Sequence, residues 1–151
     1  MSFVVRGMPQ SIADEARRTL RSPQYGHPAH REVAQGTGPC RCCLQPFVPG
    51  RDERLLFTYR PAADGNLMAP GPVFIHAEHC DSYDGRGFPP GLRELPIAFE
   101  ARASGSRVTG LVAASMPAET NIGALFDEGA EWLHLRHAEA GCFIARVDRA
   151  S

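Results

Sequence analysis

The chain has 151 residues, 43% of them hydrophobic and 22% charged, and its 16 basic and 17 acidic side chains leave a formal net charge of −1. That length suits one domain, residues 1–151, burying roughly 70% of the surface its unfolded form exposes, so folding requires no staple. The balanced charge gives no global field for nucleic acid or an anionic membrane, and because every basic residue is arginine, a Schiff-base, P-loop or general-base lysine is excluded.

Phe3–Arg6 reads as a short strand. Ser11 then offers an N-cap with Asp14 three residues on, and Ile12, Ala16 and Leu20 form one helical face, predicting a helix over 11–21 that closes at Ser22-Pro23. Prolines, glycines, His27 and His30 make residues 23–38 an irregular loop, with those two imidazoles read as surface histidines. Strands are expected at Arg54–Tyr59, Pro72–His76, Ile97–Arg102 and Ser106–Ala114, with Ser104-Gly105 as a hairpin turn. Pro117 suits the first position of a second helix, 117–128, whose apolar stripe is Ile122, Leu125 and Phe126. Glu131–His137 and Cys142–Arg149 complete six to seven short strands. The expected fold is α+β, with a mainly antiparallel, curled sheet and two short helices.

Cysteine and histidine crowd into two stretches, Cys40-Arg41-Cys42-Cys43 and His76-Ala77-Glu78-His79-Cys80. The C-x-x-C spacing lets one backbone turn aim the thiolates of Cys40 and Cys43 at a single point, and Cys80 with a histidine can complete a tetrahedral shell. Zinc held by Cys40, Cys43, His76 and Cys80 is the leading expectation, with His79 the alternative nitrogen. His76 is preferred because it ends the apolar run Val73-Phe74-Ile75, and a strand fixes where it points. A redox C-x-x-C needs its first thiol at a helix N-terminus, and Pro46, Pro49 and Gly50 leave little room for that helix. Arg41 can still acidify a neighbouring thiol, so a reactive Cys40 or Cys42 stays open. Five cysteines with neither an export signal nor a transmembrane stretch read as thiols or ligands in a cytoplasmic protein.

A second constellation lies in Trp132-Leu133-His134-Leu135-Arg136-His137 and Gly141-Cys142-Phe143. Alternation puts Trp132, His134 and Arg136 on one strand face, and a four-residue loop 138–141 pairs Arg136 with Phe143 and His137 with Cys142. The plain reading is a buried hydrogen-bonded network. The sharper one is a pocket for a small anionic molecule, with Arg136 binding it, His134 as acid or base and Cys142 nearby; these three are the catalytic candidates of an alternative, enzymatic reading. No G-x-S-x-G, H-E-x-x-H, G-x-G-x-x-G or Walker A sequence is present, and no carboxylate pair stands out.

Gly38-Pro39-Cys40-Arg41 with Cys43-Leu44, the run Leu55–Pro61, Gly71–Ala77, His134-Leu135-Arg136, Gly141-Cys142-Phe143 and Arg146–Arg149 together resemble the bacterial domain of unknown function (DUF) 1203 family across most of 38–149. The resemblance implies a single-domain bacterial protein and carries no activity. Family members carry Asn at the position of His137 and Glu at that of Arg51, and some keep Cys40 without Cys43 and Cys80, which implies metal in a subset only. The expected function is a metal-stabilised binding or interaction module whose partner is a small molecule or a protein, not nucleic acid or membrane.

Overall fold

The computed structural model describes residues 2–61, 69–103, 106–111 and 117–150. Along the chain run β1 (Phe3–Arg6), α1 (Gln10–Thr19), β2 (His30–Val33), β3 (Glu53–Tyr59), β4 (Gly71–His76), β5 (Asp84–Arg86), β6 (Ile97–Ala103), β7 (Ser106–Leu111), α2 (Ala118–Asp127), β8 (Trp132–His137) and β9 (Phe143–Arg149), with one 3-10 turn at Pro90–Leu92. All strand pairs are antiparallel, so the α+β class stands. The strands divide between two sheets, one of six in the order β5-β1-β9-β8-β6-β7 and one of three in the order β2-β3-β4.

Nine described strands exceed the expected six to seven because β2 and β5 carry almost no apolar pattern. In β2, His30-Arg31-Glu32-Val33 is largely exposed and is held as an edge by its ladder to β3, so part of the expected 23–38 loop is strand. β5 is Asp-Gly-Arg, and only pairing with β1 makes it a strand. The Ser104-Gly105 turn and residues 112–114 of the expected Ser106–Ala114 strand lie outside the described residues.

The first helix also differs from expectation. Its N-cap is Pro9 and no side chain caps it, so Ser11 lies inside the helix instead of at its start. It stops at Thr19 because Leu20 takes a left-handed conformation with φ 55°, leaving Leu20 46% exposed; the buried stripe is Ala13 and Ala16. Small side chains there let the helix lie close to the cysteine loop. In α2, Pro117 is the N-cap just outside the helix, and the anticipated Ile122, Leu125 and Phe126 are the buried face.

Two apolar clusters follow from this arrangement. One face of the large sheet, with Phe99, Leu133, Leu135, Val147 and Val5, packs under α2 and the Phe88–Leu92 segment. The other cluster joins α1, β3, β4, the Cys40 loop and Phe143. The Cys40 loop also touches the end of β1 and the start of β5 directly: Met8 N–H donates to the Arg41 carbonyl at 2.8 Å and Tyr83 N–H to the Cys42 carbonyl at 2.9 Å. Gly7 makes this approach possible, since a Cβ there would collide with the Cys42 carbonyl oxygen and stand 3.0 Å from that of Arg41.

Gly7→Ala is expected to destabilise the fold by about 2 kcal/mol or more, because both obstructing atoms are backbone and must move. Urea unfolding of the two proteins checks this; equal midpoints would show that the loop yields freely.

Candidate metal centre and the buried network beside it

Two local structures build the cluster. Residues 41–43 form a turn closed by Leu44 N–H donating to the Cys40 carbonyl at 2.9 Å, and Leu44 takes φ 62° to leave it. The turn brings Cys40 and Cys43 to the other two cluster residues; Cys42, buried like Cys40, sits beside them with its thiol donating to the Cys80 carbonyl at 3.5 Å. No helix follows, which removes the dipole a redox C-x-x-C relies on. β4 ends at His76, opposite Arg54 of β3, and the following bend returns Cys80 to the turn.

Cys40, Cys43, His76 and Cys80 converge, each offering one ligand atom with all four atoms within 4.8 Å of one another. Cys40 Sγ and Cys80 Sγ are 3.8 Å apart, and Cys43 Sγ is 3.5 Å from His76 Nδ1. His79 does not join them: it is exposed, with its ring nitrogens at 3.5 Å from Asp14 and 3.0 Å from Asp81. Of the two candidate nitrogens, the structure brings in His76.

The surroundings orient the four ligands. His76 Nε2 lies 3.5 Å from Asp52 Oδ2, a carboxylate–histidine contact that favours Nδ1 as the free coordinating nitrogen, and Phe47 packs on the ring at 4.6 Å. Arg17 of α1 donates to Cys80 Sγ and to the His76 carbonyl, both at 3.0 Å. Hydrogen bonds from Cys40, and then Cys42 and Cys43, hold the Cys80 thiol far below its ordinary pKa, while hydrogen bonding to Cys40 and Cys80 raises that of Cys43. Hydrogen bonds to the Cys40 and Cys80 sulfurs raise His76 to about 10. The cluster thus stabilises a thiolate beside an imidazolium, and a divalent cation would displace their shared protons.

Arg41 is engaged by backbone carbonyls. It is 8% exposed, with Nε donating to the Phe143 carbonyl and Nη1 to that of Pro39, each at 2.7 Å, so it ties the cysteine turn to the start of β9.

The second constellation folds as the strand alternation anticipated. Arg136 pairs with Phe143, and His137 N–H donates to the Cys142 carbonyl at 2.8 Å. The register then shifts at Leu135/Arg136, which leaves Ile144 as a bulge. His137 does not meet the Cys142 side chain; its Nδ1 accepts from the N–H groups of Glu139 and Ala140 and closes the loop. Cys142, half-buried, lines a cleft with Tyr59 and Arg136.

The central partner of this network is Glu100 of β6, directly opposite His134 and 1% exposed. Its Oε1 lies 2.7 Å from Arg102 Nη2 and 3.9 Å from His134 Nδ1, and its Oε2 lies 3.3 Å from Arg136 Nε. Burial, and then the charges of Arg102, Arg146 and Arg136, push His134 down to about 3. A neutral imidazole of that basicity is poorly matched to acid–base work near pH 7. The ion pairs satisfy a buried sheet face, as the plain reading held. Sequence reasoning missed Glu100, although a lone charge inside the apolar run Ile97-Ala98-Phe99-Glu100-Ala101 was a usable signal. Arg17 and Asp52 gave no comparable sign.

Fold and cluster together define a class: an antiparallel α+β protein in which a Cys3His group capable of holding a metal bridges a turn and a strand end. The family model "Protein of unknown function (DUF1203)" matches residues 37–149, so the chain belongs to the DUF1203 family. No curated protein and no solved structure matches it.

Two outcomes are expected here. Glu100→Gln removes the charge compensating two arginines and should cost about 3 kcal/mol in denaturant unfolding; an unchanged midpoint would show that Arg102 and Arg136 are held otherwise. Because His134 titrates at about 3 folded and near 6.5 unfolded, the unfolded chain takes up a proton the folded one refuses. Stability from His134 is therefore complete above pH 6.5 and is lost as pH falls toward 3, on the order of 1.4 kcal/mol per pH unit. His134→Gln should flatten that acid limb, and an unaltered limb would refute the assignment.

Proposed function

We propose that Cys40, Cys43, His76 and Cys80 bind one zinc ion in a closed tetrahedral shell, and that the protein is a metal-stabilised binding or interaction module. The observation that carries this is the ligand spacing. Two sulfurs at about 2.3 Å from a common centre and at the tetrahedral angle stand about 3.8 Å apart, and a sulfur and a nitrogen at their usual zinc distances stand about 3.6 Å apart. In the structure these separations are 3.8 Å and 3.5 Å. Magnesium and calcium prefer oxygen shells, so this donor set favours zinc among common divalent ions.

Three thiolates on a divalent ion leave one negative charge, and the Arg17 guanidinium at 3.0 Å from Cys80 offsets it. Four protein ligands leave no position for substrate or water, which fits a structural role tying the Pro39–Gln45 turn to the segment from His76 to Cys80. The five free thiols fit a reducing cytoplasm, and among the described residues no helix is long and apolar enough to cross a membrane. The depressed basicity of His134 and the engagement of Arg136 with Glu100 favour binding over catalysis on the second constellation.

Elemental analysis of protein purified without added metal should find one equivalent of zinc, lost in both Cys40→Ser and Cys80→Ser, with the melting temperature lowered on the order of 10 °C. Zinc retained in either variant would remove that residue from the shell. Full reaction of all five cysteines with a thiol reagent in the native protein would overturn the reading altogether.

A further inference from the structure

The polar face of the large sheet opens on two small clefts that meet at Tyr59 and Phe143. The first, about 110 Å³, is bounded by Arg6, Tyr59, Pro61, His134, Phe143 and Arg146; the second, about 210 Å³, extends past Arg136 and Cys142. We propose that the cleft between Tyr59 and the Arg6–Arg146 pair binds a small organic carboxylate, whose carboxylate group faces the arginines and whose apolar body lies over Tyr59 and Phe143.

Two observations converge on this. Asp148 holds the two arginines side by side through the Nε of Arg6 at 3.3 Å and the Nε and Nη2 of Arg146, each at 3.0 Å from Oδ1. Arg6 Nη1 goes to Asp84 at 2.8 Å, while Arg6 Nη2 and Arg146 Nη1 make no hydrogen bond among the described residues. These are donors with defined directions and room to take an oxyanion. Secondly, Tyr59 is 5% exposed and lines both clefts, yet its hydroxyl has no hydrogen-bond partner among the described residues. The hydroxyl reaches the clefts instead of being sealed in the core, so a ligand oxygen there can accept its hydrogen bond.

Charge and shape select the ligand class. The described lining of the smaller cleft includes two guanidiniums, from Arg6 and Arg146, and no carboxylate. Both guanidiniums already share Asp148, so the cleft suits a monoanion better than a phosphate dianion. The walls contributed by Phe143, Pro61 and the Tyr59 ring suit a flat apolar body, with Tyr59 and Phe143 centroids 6.0 Å apart.

Trp132 is the chain's single tryptophan, 4.8 Å from the His134 ring and under the Arg146 guanidinium at 4.6 Å, so it reports on this cleft. The full chain is titrated with benzoate, benzamide and inorganic phosphate while Trp132 fluorescence is followed. The expected result is a saturable change with benzoate alone, weakened about tenfold by Tyr59→Phe and by Arg146→Gln. Arg18→Gln, on the exposed side of α1, should leave it unchanged. Tyr59→Phe keeps the ring, and its far-ultraviolet circular dichroism confirms folding. A linear, non-saturating response, an equal response to benzamide or phosphate, or undiminished benzoate affinity in both variants would overturn the proposal. Zinc measured on the same samples keeps this outcome separate from that of the metal site.

Discussion

The turn from Pro39 to Gln45 is held from both sheets at once, and the rest of the architecture is arranged around that grip. Arg41 N–H donates to the Phe74 carbonyl in β4, while the Arg41 guanidinium reaches the Phe143 carbonyl in β9 and its carbonyl accepts from Met8 after β1. A buried guanidinium bonded to backbone carbonyls is costly to desolvate and worthwhile only where geometry is fixed. Here it fixes the position of Cys40 relative to both sheets. The cysteine cluster and the polar sheet face are thus two sides of one joint.

That joint explains why charge is distributed so unevenly inside a nearly neutral protein. Thiolates gather on one side, offset by Arg17, and arginines gather on the other, offset by Glu100 and Asp148. Arginine suits both tasks because its planar fork meets sulfur, carboxylate and carbonyl acceptors and keeps its charge when buried. A chain without lysine has no softer cation to place there.

Much of this was legible beforehand, and the reasons for the rest are specific. The C-x-x-C spacing and the apolar run ending at His76 identified the four clustered residues, because a turn and a strand end leave few directions for their side chains. The β8–β9 register followed from loop length near the turn, but the Ile144 bulge did not, since nothing local marks the extra residue. β2 and β5 were invisible because their strand character comes from partners distant in sequence. Leu20 misled for a related reason: it fits a helical stripe, yet the backbone turns left-handed at that residue. Arg17, Asp52 and Tyr59 gained their roles only through tertiary placement.

The order of pairing along the chain sets an order for assembly. All four cluster residues and every strand of the three-stranded sheet precede residue 81, whereas β1 has only the three-residue edge β5 beside it until β9, the last described strand, arrives as its central neighbour. During synthesis on the ribosome, the cysteine turn, α1 and the smaller sheet can come together while β1 has no central partner to hold it. An early-binding ion would then act as a placeholder, fixing the seat that the final hairpin must later find.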